Sequence, residues 1–237
     1  MLICRGDEHL VRVLIANHLP LDHPAAGMCS ADLAARLLTA GHHVRAVVVD
    51  GSARPTRVDS VPTRRVVCDS HDAAAELPFS APRFGDSAGA GPRFADLSDS
   101  QFAAYREALR LTLDAEVAAF DPHIIHCEHI WLLGHLALEA GVPYVLTGDA
   151  AELIEFETDV RYRRTATEAA ENAGRIIVAD TELGDSVRTL FGDLEDRIVT
   201  VPRPAGTDPH NKAEIDVGWL ADLYRQVVDD RWGPHTA

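Results

Sequence analysis

Two carboxylates that follow a short apolar run are the strongest candidates for chemistry in this sequence. Asp149 and Glu152 come just after residues 143–147 (PYVLT) and could act as a catalytic acid and base. Clustered carboxyl groups raise one another's pKa, which suits them to proton transfer near neutral pH. Two alternatives stay open, because Asp149 is also a favourable N-cap for a helix and Glu152 could belong to a solvated acidic face. Glu155 is expected on that solvated face.

A second group of polar side chains is predicted at the same edge of a sheet. His18 and Asp22 lie in the loop after residues 11–17, and Glu128 and His129 follow residues 123–127 (HIIHC). Open parallel sheets bind ligands at the carboxyl ends of their strands. We therefore predict that these four residues contact the substrate.

Gly27 is the best candidate for contact with a phosphate. It ends the same first loop, just before a predicted helix, where backbone N–H groups and the helix dipole favour an anion. The alternative is an ordinary turn glycine.

The histidines and cysteines do not predict a metal site. Side chains alternate along a strand, so His123 and His126 would point to opposite faces and could not share an ion. The four cysteines (Cys4, Cys29, Cys68 and Cys127) show no paired spacing, which favours free, mostly buried thiols.

The elements that must position these residues alternate between strand and helix. Residues 11–17 (VRVLIAN) form an apolar run typical of a parallel strand buried on both faces. A helix is predicted over 30–40, ending at Gly41. Further strands are predicted at 43–50, 64–69, 123–127, 143–147, 175–179 and 197–201, and further helices at 98–120, 131–140, 152–173, 181–191 and 217–232.

One segment departs from this alternation of strands and helices. Residues 70–96 are rich in Pro, Gly, Ala and Ser without a clear period, which indicates a long excursion within one domain, with a substrate lid as one role. Ser98 followed by Gln101 then forms the capping-box pattern that begins a long helix.

The alternation predicts one Rossmann-like α/β domain with a mostly parallel sheet flanked by helices. We place this domain at 1–202, a linker at 203–213, and a C-terminal helix and tail that pack back on the domain at 214–237. The length of 237 residues suits a single large domain.

The composition restricts the partners. A net charge of −15 argues against nucleic acid or an anionic membrane as the ligand. No segment has the length of a membrane span and the N-terminus has no apolar signal core, so we expect a cytoplasmic protein.

Several segments together resemble the family-4 retaining GT-B glycosyltransferases. The loop HPAAG with SADLAARLLTAGHHVRAVVV is similar to the family's opening, and FDPHIIHCEHIWLLGHLALEAGVPYVLT is similar to its central strand, helix and strand. AGRIIVADTEL and DRIVTVPRPAGTD resemble the stretch that leads into the family's donor-binding half. The family commonly has a histidine after the strand that matches PYVLT, where this chain has Asp149.

The resemblance implies the acceptor-side half of a GT-B fold. In the family the linker leads into a second Rossmann-like domain that binds the nucleotide sugar, whereas here it leads into a helix similar to the one that crosses back to the first domain. The hypothesis is an acceptor-binding half of a sugar transferase, with a nucleotide sugar as co-substrate, no other cofactor, and a protein partner or second subunit that supplies the donor half. A non-catalytic binding or regulatory module, or an enzyme repurposed for other small-molecule chemistry, are the alternatives.

Overall fold

The computed structural model describes residues 10–21, 30–51, 61–69, 71, 75–84, 91–192, 194, 196–202 and 216–232. Two of the predicted site residues, Asp22 and Gly27, lie outside the described residues, as do Cys4 and Cys29.

Seven strands form one sheet in which every described strand pair is parallel. The strand order is β3-β2-β1-β4-β5-β6-β7. The strands β2 and β3 therefore lie on one side of β1, and β4 to β7 lie on the other. The prediction of a mostly parallel sheet is confirmed. The strands are β1 (Arg12–Asn17), β2 (His43–Asp50), β3 (Thr63–Val67), β4 (Ile124–Glu128), β5 (Tyr144–Thr147), β6 (Arg175–Val178) and β7 (Ile198–Thr200).

Seven α-helices flank this sheet within the described part of the chain. Their apolar residues divide between its two faces: α1 and α7 cover one face, and the remaining helices pack on the other. The helices are α1 (Ser30–Thr39), α2 (Asp99–Phe120), α3 (Leu133–Ala140), α4 (Ala150–Thr158), α5 (Arg163–Asn172), α6 (Thr181–Phe191) and α7 (Val217–Trp232).

The start of α2 confirms the predicted capping box. The Ser98 hydroxyl accepts the backbone N–H of Gln101, and the Gln101 side chain accepts the backbone N–H of Ser98. Two N–H groups that lack partners within the helix are thereby satisfied.

The terminal helix α7 packs against α1 and β5. Leu220, Tyr224 and Val227 of this helix are buried. The Tyr224 hydroxyl lies 2.5 Å from Nδ1 of His126, while Nε2 of His126 lies 2.7 Å from the Thr147 hydroxyl. A buried imidazole in the middle of the sheet therefore connects β4 to both β5 and α7.

The described stretches of the 70–96 excursion are packed into the core. Leu77, Phe79, Phe84 and Phe94 are buried there, and the backbone N–H of Leu77 donates to Val67 at the end of β3. These stretches extend the hydrophobic core on the α2 side of the sheet.

The prediction of one helical stretch over 152–173 is wrong. The segment divides into α4, a 3₁₀ turn at Val160–Tyr162, and α5. The break falls at Asp159, whose backbone is extended (φ −124°, ψ 103°) and whose carboxylate accepts the backbone N–H of Arg161. An aspartate that bonds its own backbone two residues on competes with helix continuation.

The expectation that Glu155 lies on a solvated face is also wrong. Its side chain is 4% exposed, and its carboxylate accepts the backbone N–H of Ala95 at 2.8 Å. Arg161 supports the same segment by donating to the carbonyls of Ala95 and Leu97. The acidic and basic side chains of this region thus fix residues 95–97 against α4.

Candidate functional site

A cleft of about 480 Å³ opens at the carboxyl edge of the sheet. It is lined by residues from the ends of β1, β4, β5 and β6, and by the beginning of α6. The strand order changes direction between β1 and β4, which is where open α/β sheets place their ligand crevice. Of the predicted site residues, Glu128, His129 and Asp149 line this cleft, whereas His18 and Glu152 do not.

Glu128 ends β4 and is held by a chain of polar side chains. The Ser30 hydroxyl, at the start of α1, donates to Oε1 of Glu128 at 3.2 Å and accepts from the Asn17 amide at 2.9 Å. Glu128 is 5% exposed, and burial raises the pKa of its carboxyl group to about 7. The Ser30 hydrogen bond lowers this pKa, and the charge of Asp149 raises it further. The carboxyl group therefore exchanges a proton near neutral pH.

His129 follows Glu128 in a backbone conformation that side chains rarely adopt, with φ of 113°. It is 9% exposed, and Nδ1 of its imidazole has no hydrogen-bond partner among the described residues. The ring lies against Phe84, with centroids 4.5 Å apart. Burial lowers the pKa of His129 to about 4, against the opposing effect of the Asp149 charge, so the ring is neutral at physiological pH. Backbone strain of this kind is concentrated at functional sites.

His18 lies behind the cleft wall. Its ring is fully buried and packs between Tyr105 and His129, and its Nδ1 lies 2.8 Å from the Tyr105 hydroxyl. Burial, and secondarily the neighbouring His129, hold the pKa of His18 well below its usual range. His18 therefore contacts the ring of His129 without lining the cleft itself, whereas the preceding residue, Asn17, does line it.

Asp149 both lines the cleft and caps a helix. One of its carboxylate oxygens accepts the backbone N–H of Ala151 at 2.8 Å at the beginning of α4. The two sequence interpretations of Asp149 are therefore compatible, because a cap uses one oxygen and leaves the other for a ligand.

Glu152 is fully buried beneath the β4–α3 turn. Its two oxygens accept the backbone N–H groups of Ile130, at 3.1 Å, and Trp131, at 2.5 Å. Burial raises the pKa of Glu152 to about 8, and these two hydrogen bonds oppose the rise. Its position makes Glu152 a support for the turn that carries His129.

Sequence reasoning missed Asp180 and Glu182 on the cleft wall. Asp180 follows β6 and caps α6 by accepting the backbone N–H of Leu183 at 2.9 Å. The available signal was the one used for Asp149: a carboxylate directly after a strand and before a helix.

The wall charges are all of one sign among the described residues. Four carboxylates line the cleft (Glu128, Asp149, Asp180 and Glu182), and no described lining residue is a lysine or arginine. The rest of the wall is largely apolar, with Ile177, Val178, Leu183 and Val201. Such a wall suits hydroxyl donors and disfavours anions.

The described residues contain no group of three or more His, Cys, Asp or Glu side chains that could hold a metal ion. His123 accepts the backbone N–H of Arg12, and His126 is engaged with Tyr224 and Thr147. Cys68 and Cys127 are free and buried, as predicted for the thiols. None of the helices in the described part of the chain is long and apolar enough to cross a membrane.

The chain matches no protein-family model and no curated protein sequence. Its fold is nevertheless similar to solved glycosyltransferase structures. A piece of sucrose-phosphate synthase from Thermosynechococcus elongatus, designated 27_220_406_426, has a TM-score of 0.57 at 16% identity and covers 91% of this chain and 98% of that piece. A second, longer chain of sucrose-phosphate synthase from the same organism has a TM-score of 0.57 at 14% identity, with coverage of 82% of this chain and 48% of that chain. HepE from Anabaena, solved with UDP and glucose, has a TM-score of 0.50 at 12% identity, with coverage of 81% and 44%.

These similarities define the class of fold. The molecule is a single α/β domain that matches one Rossmann-like half of the GT-B glycosyltransferases. It spans about half the length of the longer sucrose-phosphate synthase chain and less than half of the HepE chain.

Proposed function

We propose that this chain is the acceptor-binding half of a retaining, family-4-type GT-B sugar transferase, and that transfer needs a separate donor-binding half. The observation that carries the proposal is the cleft at the carboxyl edge of a GT-B-like half, lined by Glu128, His129 and Asp149. Carboxylates and a neutral imidazole can accept hydrogen bonds from the hydroxyl groups of an acceptor.

The charge of the cleft supports the need for a donor half. In the transfer, the bond between the anomeric carbon and the nucleotide diphosphate breaks, a bond to the acceptor oxygen forms, and the acceptor hydroxyl loses its proton. The departing diphosphate must be stabilised by positive groups or N–H donors. The described cleft wall offers four carboxylates and no lysine or arginine, so it is suited to the acceptor and not to the diphosphate.

The connection between β7 and α7 also supports the need for a separate donor-binding half. Residues 203–215 join Pro202 to Asp216, and α7 then packs directly on the sheet. A nucleotide-binding domain needs on the order of 100 residues, so this connection is too short to contain one. We propose that another polypeptide, another subunit or another part of a longer chain supplies it, and the boundaries at 202 and 214 stay predictions.

Turnover and binding measurements with the purified chain test this function. We expect calorimetry to detect the binding of polyhydroxylated acceptors to the chain. A panel of labelled nucleotide sugars should show neither hydrolysis nor sugar transfer with the chain alone. Addition of a donor-binding partner should give sugar transfer, and Asp149→Asn should lower the rate of that transfer.

Two results would contradict the proposal in different ways. Sugar transfer by the chain alone would remove the partner requirement. Failure to bind any polyol, nucleotide or nucleotide sugar would instead point to a non-catalytic interaction module.

A further inference from the structure

The carboxylates of the cleft have no cationic counterpart among the described lining residues. Glu128, Asp149, Asp180 and Glu182 come from the ends of three consecutive strands and the first turn of α6. Of the buried carboxylates outside the cleft, Asp50 pairs with Arg65 and Glu116 with Arg45 and Arg64. Glu152 instead accepts two backbone N–H groups. The cleft carboxylate Glu128 has neither a cation nor a backbone N–H donor among the described residues.

Glu128 is the carboxylate for which this absence costs most. It is 5% exposed, and its only described hydrogen-bond donor is the neutral hydroxyl of Ser30, on Oε1. An ionised carboxylate removed from water is costly unless a cation or several donors compensate it. Oε2 has no partner among the described residues, although Glu128 lines the cleft.

His129 gives a second, independent indication of a ligand. Its imidazole is about nine-tenths buried and the residue lines the cleft, and Nδ1 of the ring has no hydrogen-bond partner among the described residues. Buried polar groups in native proteins are almost always paired. A ring nitrogen left without a partner, in a residue of the cleft wall, is therefore suited to bind a polar group of a ligand.

Building on the proposed function, we propose that the acceptor is a polyhydroxylated molecule that carries an ammonium group, which binds between Glu128 and Asp149. The ammonium supplies the cation that the cleft wall lacks, and a hydroxyl group of the same molecule bonds His129. The apolar residues Ile177, Val178 and Val201 contact the C–H face of the ring.

Other acceptor classes fit this wall less well. A phosphorylated or carboxylated acceptor would bring a negative charge against four carboxylates, and like charges in contact are strongly unfavourable. A neutral polyol would leave the ionised form of Glu128 without a counter-ion.

The protonation of Glu128 provides a readout specific to this proposal. The free carboxyl group has a pKa of about 7, because it is buried. A bound ammonium favours the ionised form, so binding below about pH 7 should release a proton from Glu128. The titratable groups that face Glu128 are Asp149 after β5, His129 on its own loop, Cys127 within β4, and Tyr224 from α7.

Calorimetry with matched disaccharides tests the proposal. The probes are the β-1,4-linked glucosamine dimer with free amines, its N,N′-diacetyl form and cellobiose, with glucose 6-phosphate as the anionic probe. We expect the free-amine dimer to bind about tenfold more tightly than the diacetyl form, a ratio equivalent to one well-placed charged contact. Binding at pH 6 should release protons, as shown by titrations in buffers of different ionisation enthalpy.

Three variants distinguish binding at this site from general electrostatic attraction to an acidic protein. Glu128→Gln keeps an acceptor for Ser30, and Asp149→Asn keeps the helix cap, so both should fold as judged by circular dichroism. Each should weaken binding of the free-amine dimer about fivefold or more, and Glu128→Gln should abolish the proton release. Asp229→Asn makes the same charge change on an exposed position of α7 and should have no effect.

Each remaining outcome overturns the inference. Equal or tighter binding of the diacetyl dimer, cellobiose or glucose 6-phosphate would exclude an ammonium-bearing acceptor and leave the proposed function standing. Binding of the free-amine dimer that neither cleft variant weakens would show attraction to the net charge alone. Binding of none of the probes would count against the inference and the proposed function together.

Discussion

The carboxylate of Glu152 accepts the backbone N–H of Trp131 at 2.5 Å. Its other oxygen accepts the N–H of Ile130, so one buried side chain holds two consecutive backbone groups of the β4–α3 turn. This turn contains two residues with positive φ, His129 at 113° and Leu132 at 51°. Because such conformations persist only where the surroundings enforce them, Glu152 is a positioning residue for the His129 side of the cleft.

Replacement of Glu152 should therefore destabilise the protein strongly. Glu152→Ala leaves two buried N–H groups without partners, each at a cost of about 1–3 kcal/mol in the free energy of unfolding. Glu152→Gln keeps one acceptor oxygen and should lose less. Urea unfolding measures both, with Glu157→Ala on the exposed side of the same helix as the control. Equal stability of Glu152→Ala and Glu157→Ala would refute the role of Glu152.

The buried carboxyl groups should make stability fall as the pH rises above neutrality. The pKa values of Glu128 and Glu152 are about 7 and 8 in the folded protein, against about 4.3 in the unfolded chain. The folded state thus binds more protons, and the stabilisation present below pH 4.3 is lost as the pH passes through the folded values. Buried histidines such as His126 oppose this trend only below about pH 6.5, where the unfolded chain begins to protonate them.

The window least affected by other groups is therefore about pH 6.5 to 7.5. Above it the unfolded chain begins to ionise cysteines such as Cys68 and Cys127, whose pKa values are raised by burial in the folded state, and this also lowers stability. Each of the two carboxyl groups should contribute a slope of up to about −1.4 kcal/mol per pH unit to the free energy of unfolding. Glu152→Gln should make that slope shallower. A wild-type stability that stays constant or rises across this window would contradict the burial of these groups in protonated form.

The hydrogen bond between Tyr224 and His126 should contribute measurably to the stability with which α7 packs on the sheet. Tyr224→Phe removes the hydroxyl and leaves Nδ1 of a fully buried imidazole without a partner. We expect a loss of about 1–3 kcal/mol in the free energy of unfolding. Gln226→Ala, at an exposed position of the same helix, should change stability by less than about 0.5 kcal/mol. Hydrogen exchange across α7 should become faster in Tyr224→Phe only.

Two glycine-to-alanine substitutions should have opposite effects. A Cβ atom at Gly174 would lie 2.3 Å from the Val227 side chain, so Gly174→Ala should push α7 outward and cost about 1–3 kcal/mol. At Gly184, inside α6, the nearest atoms lie at 3.5 Å, so Gly184→Ala should stabilise by about 0.5–1 kcal/mol through helix propensity.

A second substitution tests the stated contact at Gly174. Val227→Ala removes the methyl groups that an alanine at 174 would meet, so the double variant should be more stable than the sum of the single effects predicts. Thermal or urea unfolding of all four proteins gives the coupling. Strict additivity would show that the cost at Gly174 has another origin.

Local sequence patterns predicted most of the fold. The bounds of α6 and α7 agree with the predicted 181–191 and 217–232, and the capping box of Ser98 and Gln101 is confirmed. These features depend on neighbours within a few residues, such as an apolar period or a cap. The rule that parallel strands present ligand groups at their carboxyl ends likewise placed Glu128, His129 and Asp149 at one edge.

The remaining features depend on contacts between distant segments. Glu155 was expected in solvent because its partner, the N–H of Ala95, lies 60 residues away in a segment without clear periodicity. The position of His18 was missed for a related reason: its ring faces Tyr105 of α2, which no local pattern indicates. The turn with positive φ at His129 also has no sequence signal, since the carboxylate that holds the next two backbone N–H groups belongs to Glu152, in a later helix.

The direction of α7 constrains any polypeptide that is inserted in the connection between β7 and α7. Val227 and Asp230 lie against Gly174 and Arg175 at the amino end of β6, while Tyr224 reaches the middle of β4, so α7 runs opposite to the strands. Pro202 follows β7 and Asp216 precedes α7, so both are directed to the sheet edge that carries the cleft. A polypeptide inserted between them would be tethered at two points in front of the opening, with its rotation restricted and its local concentration there high.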